Sequence, residues 1–145
     1  MEFMIDDDKK GLFSDIGLLI MRVSAGLMMA FAHGWPKIQA FGERAEGWDG
    51  MFFGLPGALA VGLVILAEFV CALLITVGLM TRLAAIPLII NMSVAAYAHF
   101  VMWGDGFGDT ELALVFLTIF VMFLFTGPGK ISLDEVISKR RKAME

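Results

Sequence analysis

The chain has 145 residues and a formal net charge of −4; 59% of its residues are hydrophobic and only 18% are charged. An average soluble domain is about 45–50% apolar and about 25% charged, so this composition indicates a small integral membrane protein. The acidic balance disfavours a nucleic-acid partner, and Cys71, the only cysteine, excludes an internal disulfide or a Cys-x-x-Cys redox pair.

Four apolar segments approach the length of about 20 residues that a membrane-spanning helix needs. They lie at residues 13–35, 56–80, 82–102 and 110–125. The amphipathic loop 37–55 is predicted to lie on the membrane surface. In the tail, residues 130–145, Ser132 and Glu135 have the spacing of a capping box and predict a short amphipathic helix. The sequence thus predicts an all-α integral membrane four-transmembrane-helix bundle that forms one domain.

Basic residues are distributed unequally between the two sides of such a bundle. Lys37 and Arg44 lie in the first loop, whereas the side that carries both termini holds eight basic residues: Lys9, Lys10, Arg82, Lys130, Lys139, Arg140, Arg141 and Lys142. Because cytoplasmic segments of membrane proteins are enriched in Lys and Arg, both termini are predicted to be cytoplasmic.

Ionisable residues inside the apolar segments point to a functional site, since charges at membrane depth are costly and usually face a cavity or a partner. Arg22 and Glu68 have opposite charges on consecutive antiparallel segments. If the first helix ends near Trp35, where Pro36 disfavours its continuation, helical rise places both side chains near the bilayer centre. We therefore expect Arg22 and Glu68 to form an ion pair, either as a structural clasp or as the floor of a polar cavity.

Further polar residues are predicted near the outer boundary of the membrane. His33, His99 and Glu111, from three segments, are the candidate catalytic residues, and Lys37, Asn91, Arg22 and Glu68 are the candidate binding residues. Together they predict a polar funnel that opens to the periplasm. Each has a simpler interpretation: a boundary histidine can bond a headgroup or a carboxylate, Glu111 suits a helix N-terminus, and Asn91 can bond a neighbouring helix.

Ligands of a metal are not evident in the sequence. His33 and His99 come from different segments, so they leave haem ligation geometrically open, but no HxxxH motif or cysteine cluster accompanies them. We predict no metal site, disfavour haem, and leave the cofactor open, with a quinone as one candidate.

Several of these residues carry a resemblance to a known family. Arg22 with HGWPK at the end of the first segment, Ala67-Glu68, GLMTR from Gly78 to Arg82, His99, and GPGKISLD from Gly127 to Asp134 resemble the DoxX family of small four-helix bacterial membrane proteins. The resemblance covers residues 15–134. It implies a multi-pass protein of the bacterial inner membrane and an association with membrane redox systems, but it assigns no reaction to any residue.

Three functional hypotheses follow. The first is a membrane subunit of a quinone- or sulfur-linked redox system, in which His33 or His99 exchanges protons and electrons come through a bound quinone or a partner redox enzyme. The second is a non-catalytic scaffold that stabilises a partner through the basic tail and the first loop. A small transporter is the weakest, because the chain shows no inverted repeat. Enzymatic activity and homo-oligomerisation stay open; the lipid bilayer is the one partner that the composition requires.

Overall fold

A computed structural model describes residues 7–145, with side chains described for all of these except residues 7–10 and 109. All regular secondary structure in the described residues is helical, and these residues contain no strand. Its α-helices are α1 (Asp7–Met28), α2 (Trp35–Gln39), α3 (Phe41–Gly47), α4 (Gly57–Ile65), α5 (Ala72–Val77), α6 (Thr81–Tyr97), α7 (Phe107–Thr126) and α8 (Leu133–Lys142). Three π-helical segments separate some of them, at Met29–Gly34, Leu66–Cys71 and Ala98–Trp103.

The π-helical segments join the shorter helices into three long, apolar ones. The first long helix is Gly11–Gln39, the second is Gly57–Val77 and the third is Thr81–Trp103. By length and composition, these three described helices could each cross a membrane; the apolar part of α7, Thr110–Thr126, is shorter. Their buried side chains form one core, in which Phe116, Phe120 and Phe123 of α7 pack with residues of the long helices.

The expectation that the first helix ends near Trp35 is wrong. It continues through Pro36 to Gln39. A π-helical turn directly precedes Pro36, which lies in the first turn of α2, and there its missing N–H interrupts no α-helical hydrogen bond. This extra length changes the depth at which every polar residue of the first long helix meets its neighbours.

Two ends of the bundle can be distinguished by the segments that they carry. At the tail end, the second and third long helices join through a tight hairpin at Gly78–Met80, where Gly78 and Met80 have φ values of 71° and 50°. The tail packs on this hairpin: the Asp134 carboxylate accepts hydrogen bonds from the N–H groups of Met80 and Thr81 at 2.7 and 3.0 Å. At the loop end, α3 and the turn after it pack over α4.

The tail helix predicted from Ser132 and Glu135 is present, and the serine half of the capping box is formed. Ser132 Oγ accepts a hydrogen bond from the N–H of Glu135 at 3.3 Å, and α8 begins at the next residue, Leu133. The basic residues of α8 lie in its last turn, where they suit the helix dipole.

Candidate functional site: a cavity between the second and third long helices

Arg22 does not pair with Glu68, contrary to the sequence prediction. Its guanidinium donates to three main-chain carbonyls: Nε to Thr76 at 3.2 Å, Nη1 to Pro128 at 2.7 Å and Nη2 to Ile131 at 2.8 Å. Thr76 lies in the last turn of the second long helix, about 12 Å along the helix from Glu68. Arg22 is therefore at the tail end of the bundle, and it fastens the tail to the first two long helices.

Glu68 pairs instead with Lys37 from the end of the first long helix. Lys37 Nζ lies 2.5 Å from Glu68 Oε2, and Asn91 Nδ2 of α6 donates to Glu68 Oε1 at 2.9 Å. Lys37 also donates to the carbonyl of His33 at 3.3 Å. The Glu68 and Lys37 side chains are only 5% and 16% exposed. Three predicted binding residues from three helices thus meet in one buried cluster, the Lys37–Glu68–Asn91 cluster.

This cluster forms the polar inner end of a cavity of about 630 Å³. The cavity exists because α6 packs on α5 and on the second π-helical segment, near the hairpin, while α4 packs on α3. The second and third long helices therefore separate towards the loop end. The cavity is lined by Lys37, Arg44, Trp48, Phe52, Phe53, Leu55, Ala60, Leu63, Val64, Leu66, Ala67, Glu68, Pro87, Ile90, Asn91, Val94, Ala95, Ala98, His99 and Trp103.

The walls of the cavity are apolar, and they reach the outer surface of the bundle. Leu63, Leu66 and Ile90 line the cavity and are also 49%, 48% and 60% exposed. Their positions on the second and third long helices place the opening between these helices, on a side that faces lipid in a membrane. A funnel open at the outer face was predicted, whereas here the aromatic side chains Trp48 and Phe52 of the loop line that end of the cavity.

His99 lines the loop end of the cavity. Its Nδ1 lies 2.8 Å from Asp105 Oδ2, and its ring packs edge-on against Trp103 with 5.0 Å between ring centroids. Asp105 also donates its backbone N–H to the carbonyl of His99 at 3.0 Å. A carboxylate on one ring nitrogen fixes the orientation of the imidazole, so the other nitrogen is held in a constant position. Asp105 is not among the predicted site residues; it lies in the Gly-rich turn between Trp103 and Phe107.

Two candidate catalytic residues lie outside the cavity lining. The His33 ring packs edge-on against Phe116 of α7 at a centroid distance of 5.6 Å, beside the Lys37–Glu68–Asn91 cluster but not in the cavity. Glu111 is exposed in the second turn of α7. The predicted set of His33, His99 and Glu111 at one shared mouth is therefore not assembled.

Arg44, Trp48 and Phe52 are cavity residues that the sequence analysis did not select as site residues. The Arg44 guanidinium carbon lies 6.0 Å from the centre of the Trp48 ring, and Trp48, Phe52 and Trp103 form a chain of edge-on aromatic contacts. The signal for them was the amphipathic character of loop 37–55, which was interpreted as membrane-surface contact.

Each of the three long helices has one ionisable residue in its π-helical segment: His33 in the first, Glu68 in the second and His99 in the third. Such segments are rare and frequently occur at functional sites, because the extra residue per turn changes the direction in which a side chain points. Here the second π-helical segment turns Glu68 towards Lys37 and Asn91.

The fold and the cavity define a helical membrane protein with a largely apolar, lipid-facing cavity that ends in a buried ion pair. The sequence model of the DoxX family matches residues 17–101, more than half of the chain. The chain belongs to the DoxX family and is a multi-pass protein of the bacterial inner membrane.

Similar proteins include an uncharacterized protein of Haemophilus influenzae, 32% identical over 131 residues that cover 85% of this chain and 92% of that protein. The inner membrane protein YqjF of Escherichia coli is 30% identical over 132 residues, which cover 87% of this chain and 95% of YqjF. An uncharacterized membrane protein of Mycobacterium tuberculosis is 36% identical over 90 residues, covering 52% of this chain and 54% of that protein. No solved structure matches the chain.

Proposed function

We propose that this protein is the membrane subunit of a quinone- or sulfur-linked redox system and that its cavity binds the head group of a quinone. The observation that carries the proposal is the cavity itself, in which apolar walls lead to hydrogen-bond donors at the inner end. A quinone has the matching chemistry, with two carbonyl acceptors on a ring and an apolar tail. Ligand sites of this kind are mostly apolar and contain a few convergent polar groups.

The Lys37–Glu68–Asn91 cluster has donors available for such a ligand. Lys37 Nζ carries three N–H donors, and two are directed to the carbonyl of His33 and to Glu68. Asn91 has two donors on Nδ2, of which one is directed to Glu68. The remaining donors suit the quinone oxygens. His99 and Asp105, at the loop end, suit proton exchange with water, and electrons come from a partner redox enzyme.

The test is quinone binding by the purified protein in nanodiscs. The double variant K37Q/E68Q replaces the ion pair by two neutral amides, and we expect it to weaken quinone binding about tenfold, since a hydrogen bond to a charged donor contributes about 1.5–3 kcal/mol. The matched control E111Q removes an exposed carboxylate outside the cavity and should bind like the wild type. A wild-type protein that binds no quinone contradicts the proposal.

The proposal includes a four-span topology with both termini in the cytoplasm. It is supported by the excess of basic residues on the terminal side and by the contacts of Arg22 and Asp134, which hold the tail and the 78–80 hairpin at one end of the bundle. A reporter that is active only in the cytoplasm should be active when it is fused after Glu145, and a reporter that is active only in the periplasm should be inactive there. Periplasmic activity of a reporter fused there would contradict the topology.

A non-catalytic scaffold is the second candidate, and the exposed basic face of α8 favours it. Lys139, Arg140, Arg141 and Lys142 are all exposed on a helix whose base is fixed by Asp134. In this case, removal of residues 139–145 should abolish co-purification of a partner from membranes without affecting quinone binding, whereas K37Q/E68Q should leave co-purification unchanged.

A further inference from the structure

Arg44 is a cation at the loop end of the cavity. It belongs to α3, and its side chain lines the cavity beside Trp48. Its Nε atom is buried and has no hydrogen-bond partner among the described residues, although the residue as a whole is only half-buried. A buried N–H donor without a partner is costly, and a bound ligand can supply the missing acceptor.

The other ionisable side chains that line the cavity already have partners. Lys37 pairs with Glu68, and His99 contacts Asp105. Arg44 forms no ion pair with any side chain that the structure describes. Of the cations that line the cavity, Lys37 and Arg44, only Arg44 therefore lacks an acidic partner among the described residues, and apolar walls separate it from the inner end. Asn91 at the inner end and His99 at the loop end are about 12 Å apart along the third long helix.

The surroundings of Arg44 also restrict the rest of the ligand. Trp48 and Phe52 lie beside it, and the cavity opens between the second and third long helices at Leu63 and Ile90. A molecule that enters there comes from the hydrocarbon of the bilayer. It must have an apolar body to fill the walls, and an anionic group to satisfy a guanidinium, whose planar fork matches carboxylate and phosphate oxygens.

We propose that the loop end of the cavity binds an anionic amphiphile, with a carboxylate or phosphate on Arg44 and an acyl chain between the second and third long helices. This site goes beyond the proposed quinone function and does not depend on it, because the quinone head group is assigned to the Lys37–Glu68–Asn91 cluster at the opposite end.

The experiment compares probes that differ only in head group, in nanodiscs of zwitterionic lipid. Dodecanoate and dodecyl phosphate carry the anion, and dodecanol does not. We expect the wild type to bind either anionic probe about tenfold more tightly than dodecanol, which corresponds to one hydrogen-bonded charge pair. R44Q should reduce this preference to less than about twofold, and R44K, which retains the charge, should keep much of it. The matched control R140Q removes an exposed cation of α8 and should behave like the wild type.

The arms of the experiment distinguish the sources of the anion. A preference for dodecanoate indicates a fatty-acid ligand, and one for dodecyl phosphate indicates a phospholipid; both support the proposal. It is overturned if the wild type binds dodecanol as tightly as the anionic probes, if R44Q retains the full preference, or if inorganic phosphate displaces the probes at equal concentration. If R44Q does not fold, the head-group preferences of the wild type and R44K decide the matter. Quinone binding, measured on the same samples, should be unchanged by R44Q.

Discussion

Arg22 is a buried cation whose partners are main-chain carbonyls rather than an acid. The residue is 2% exposed, and each of its three guanidinium nitrogens donates to a different carbonyl. One of these carbonyls belongs to Ile131 in the tail, one to Pro128 just before the tail, and one to Thr76 in the last turn of the second long helix. Five donors in a fixed planar arrangement make arginine suited to this role. Arg22 therefore joins three segments that are distant in sequence.

Replacement of Arg22 should loosen the tail. In R22K, one ammonium cannot reproduce the planar fork, and in R22M all three carbonyls lose their donor. We expect R22M to lower the free energy of unfolding by about 3 kcal/mol or more, on the basis of about 1.5–3 kcal/mol per charged hydrogen bond with incomplete additivity, and R22K to lie in between. Thermal unfolding in detergent gives the ranking, and tryptic cleavage after Lys130 reports release of the tail. R140K, on the exposed face of α8, is the control; equal cleavage rates for R22M and R140K would contradict this role.

The Lys37–Glu68 pair should show strong coupling between its two members. Removing Lys37 alone, in K37M, leaves a nearly buried carboxylate with only Asn91 as its partner. Loss of one member of a buried pair costs about 3–5 kcal/mol, whereas replacing both by neutral residues is often close to neutral. We therefore expect K37M to be less stable than the double variant K37M/E68Q in chemical unfolding. A double variant as unstable as the sum of the single ones would show that the two side chains act independently.

At the scale of elements, the first and second long helices approach closely along small residues. Gly26, Ala30 and Gly34 are buried and recur every four residues on one face of the first long helix. A Cβ atom on Gly34 would lie 2.9 Å from the backbone carbon of Glu68 and 2.9 Å from the backbone nitrogen of Phe69. Small residues at such spacing allow helix backbones to pack closely in membranes. The contact brings the first and second π-helical segments together and sets the distance that Lys37 spans to reach Glu68.

G34A should therefore be destabilising, because the atoms that it would meet are backbone atoms that cannot rotate away. We expect a loss of about 1–3 kcal/mol in the free energy of unfolding, as for other overpacked sites. G17A is the matched control on the same helix, since a Cβ there has nothing within 4 Å. It should be neutral or stabilising by up to about 1 kcal/mol, because alanine has the higher helix propensity. Equal stabilities of the two variants in thermal unfolding would contradict the close approach.

At the scale of the whole molecule, composition and hydropathy predict the helical membrane class, and motif residues predict the family. The partners of the polar residues were harder to predict, because their depth depends on where each helix ends. The prediction placed Arg22 level with Glu68 by assuming that the first helix ends at the level where the second begins. The first helix instead continues through the π-helical turn at Met29–Gly34 to Gln39, and α2 and α3 pack along α4, so that Lys37 takes that place. A local change in helical winding is not visible in hydrophobic periodicity, so this error could not be corrected from the sequence.

The cavity likewise depends on an arrangement that periodicity does not encode. Asn91 and His99 lie on the cavity side of the third long helix, as a polar funnel requires, but His33 faces Phe116 and Glu111 is exposed. The third long helix packs on the second near the hairpin, through α5 and the second π-helical segment, whereas α4 packs on α3 of the first loop. Long-range packing of a loop therefore decides which polar residues share the cavity.

The lateral opening makes a prediction about the route by which ligands enter. Leu63 and Leu59 are both exposed on α4, at 49% and 48%, but only Leu63 lines the cavity. A tryptophan at 63 would narrow the opening between the second and third long helices, whereas one at 59 should face lipid at no comparable cost. We expect L63W to slow the loading of quinone and of dodecanoate from the bilayer, with L59W close to the wild type. The measurement is the rate at which each probe transfers from donor vesicles into the protein.

Both ligands should be affected together, because they share one entrance while binding at opposite ends. If L63W slowed neither, the ligands would have to enter past Trp48 and Phe52 from the aqueous side, and the loop rather than the helix pair would control access.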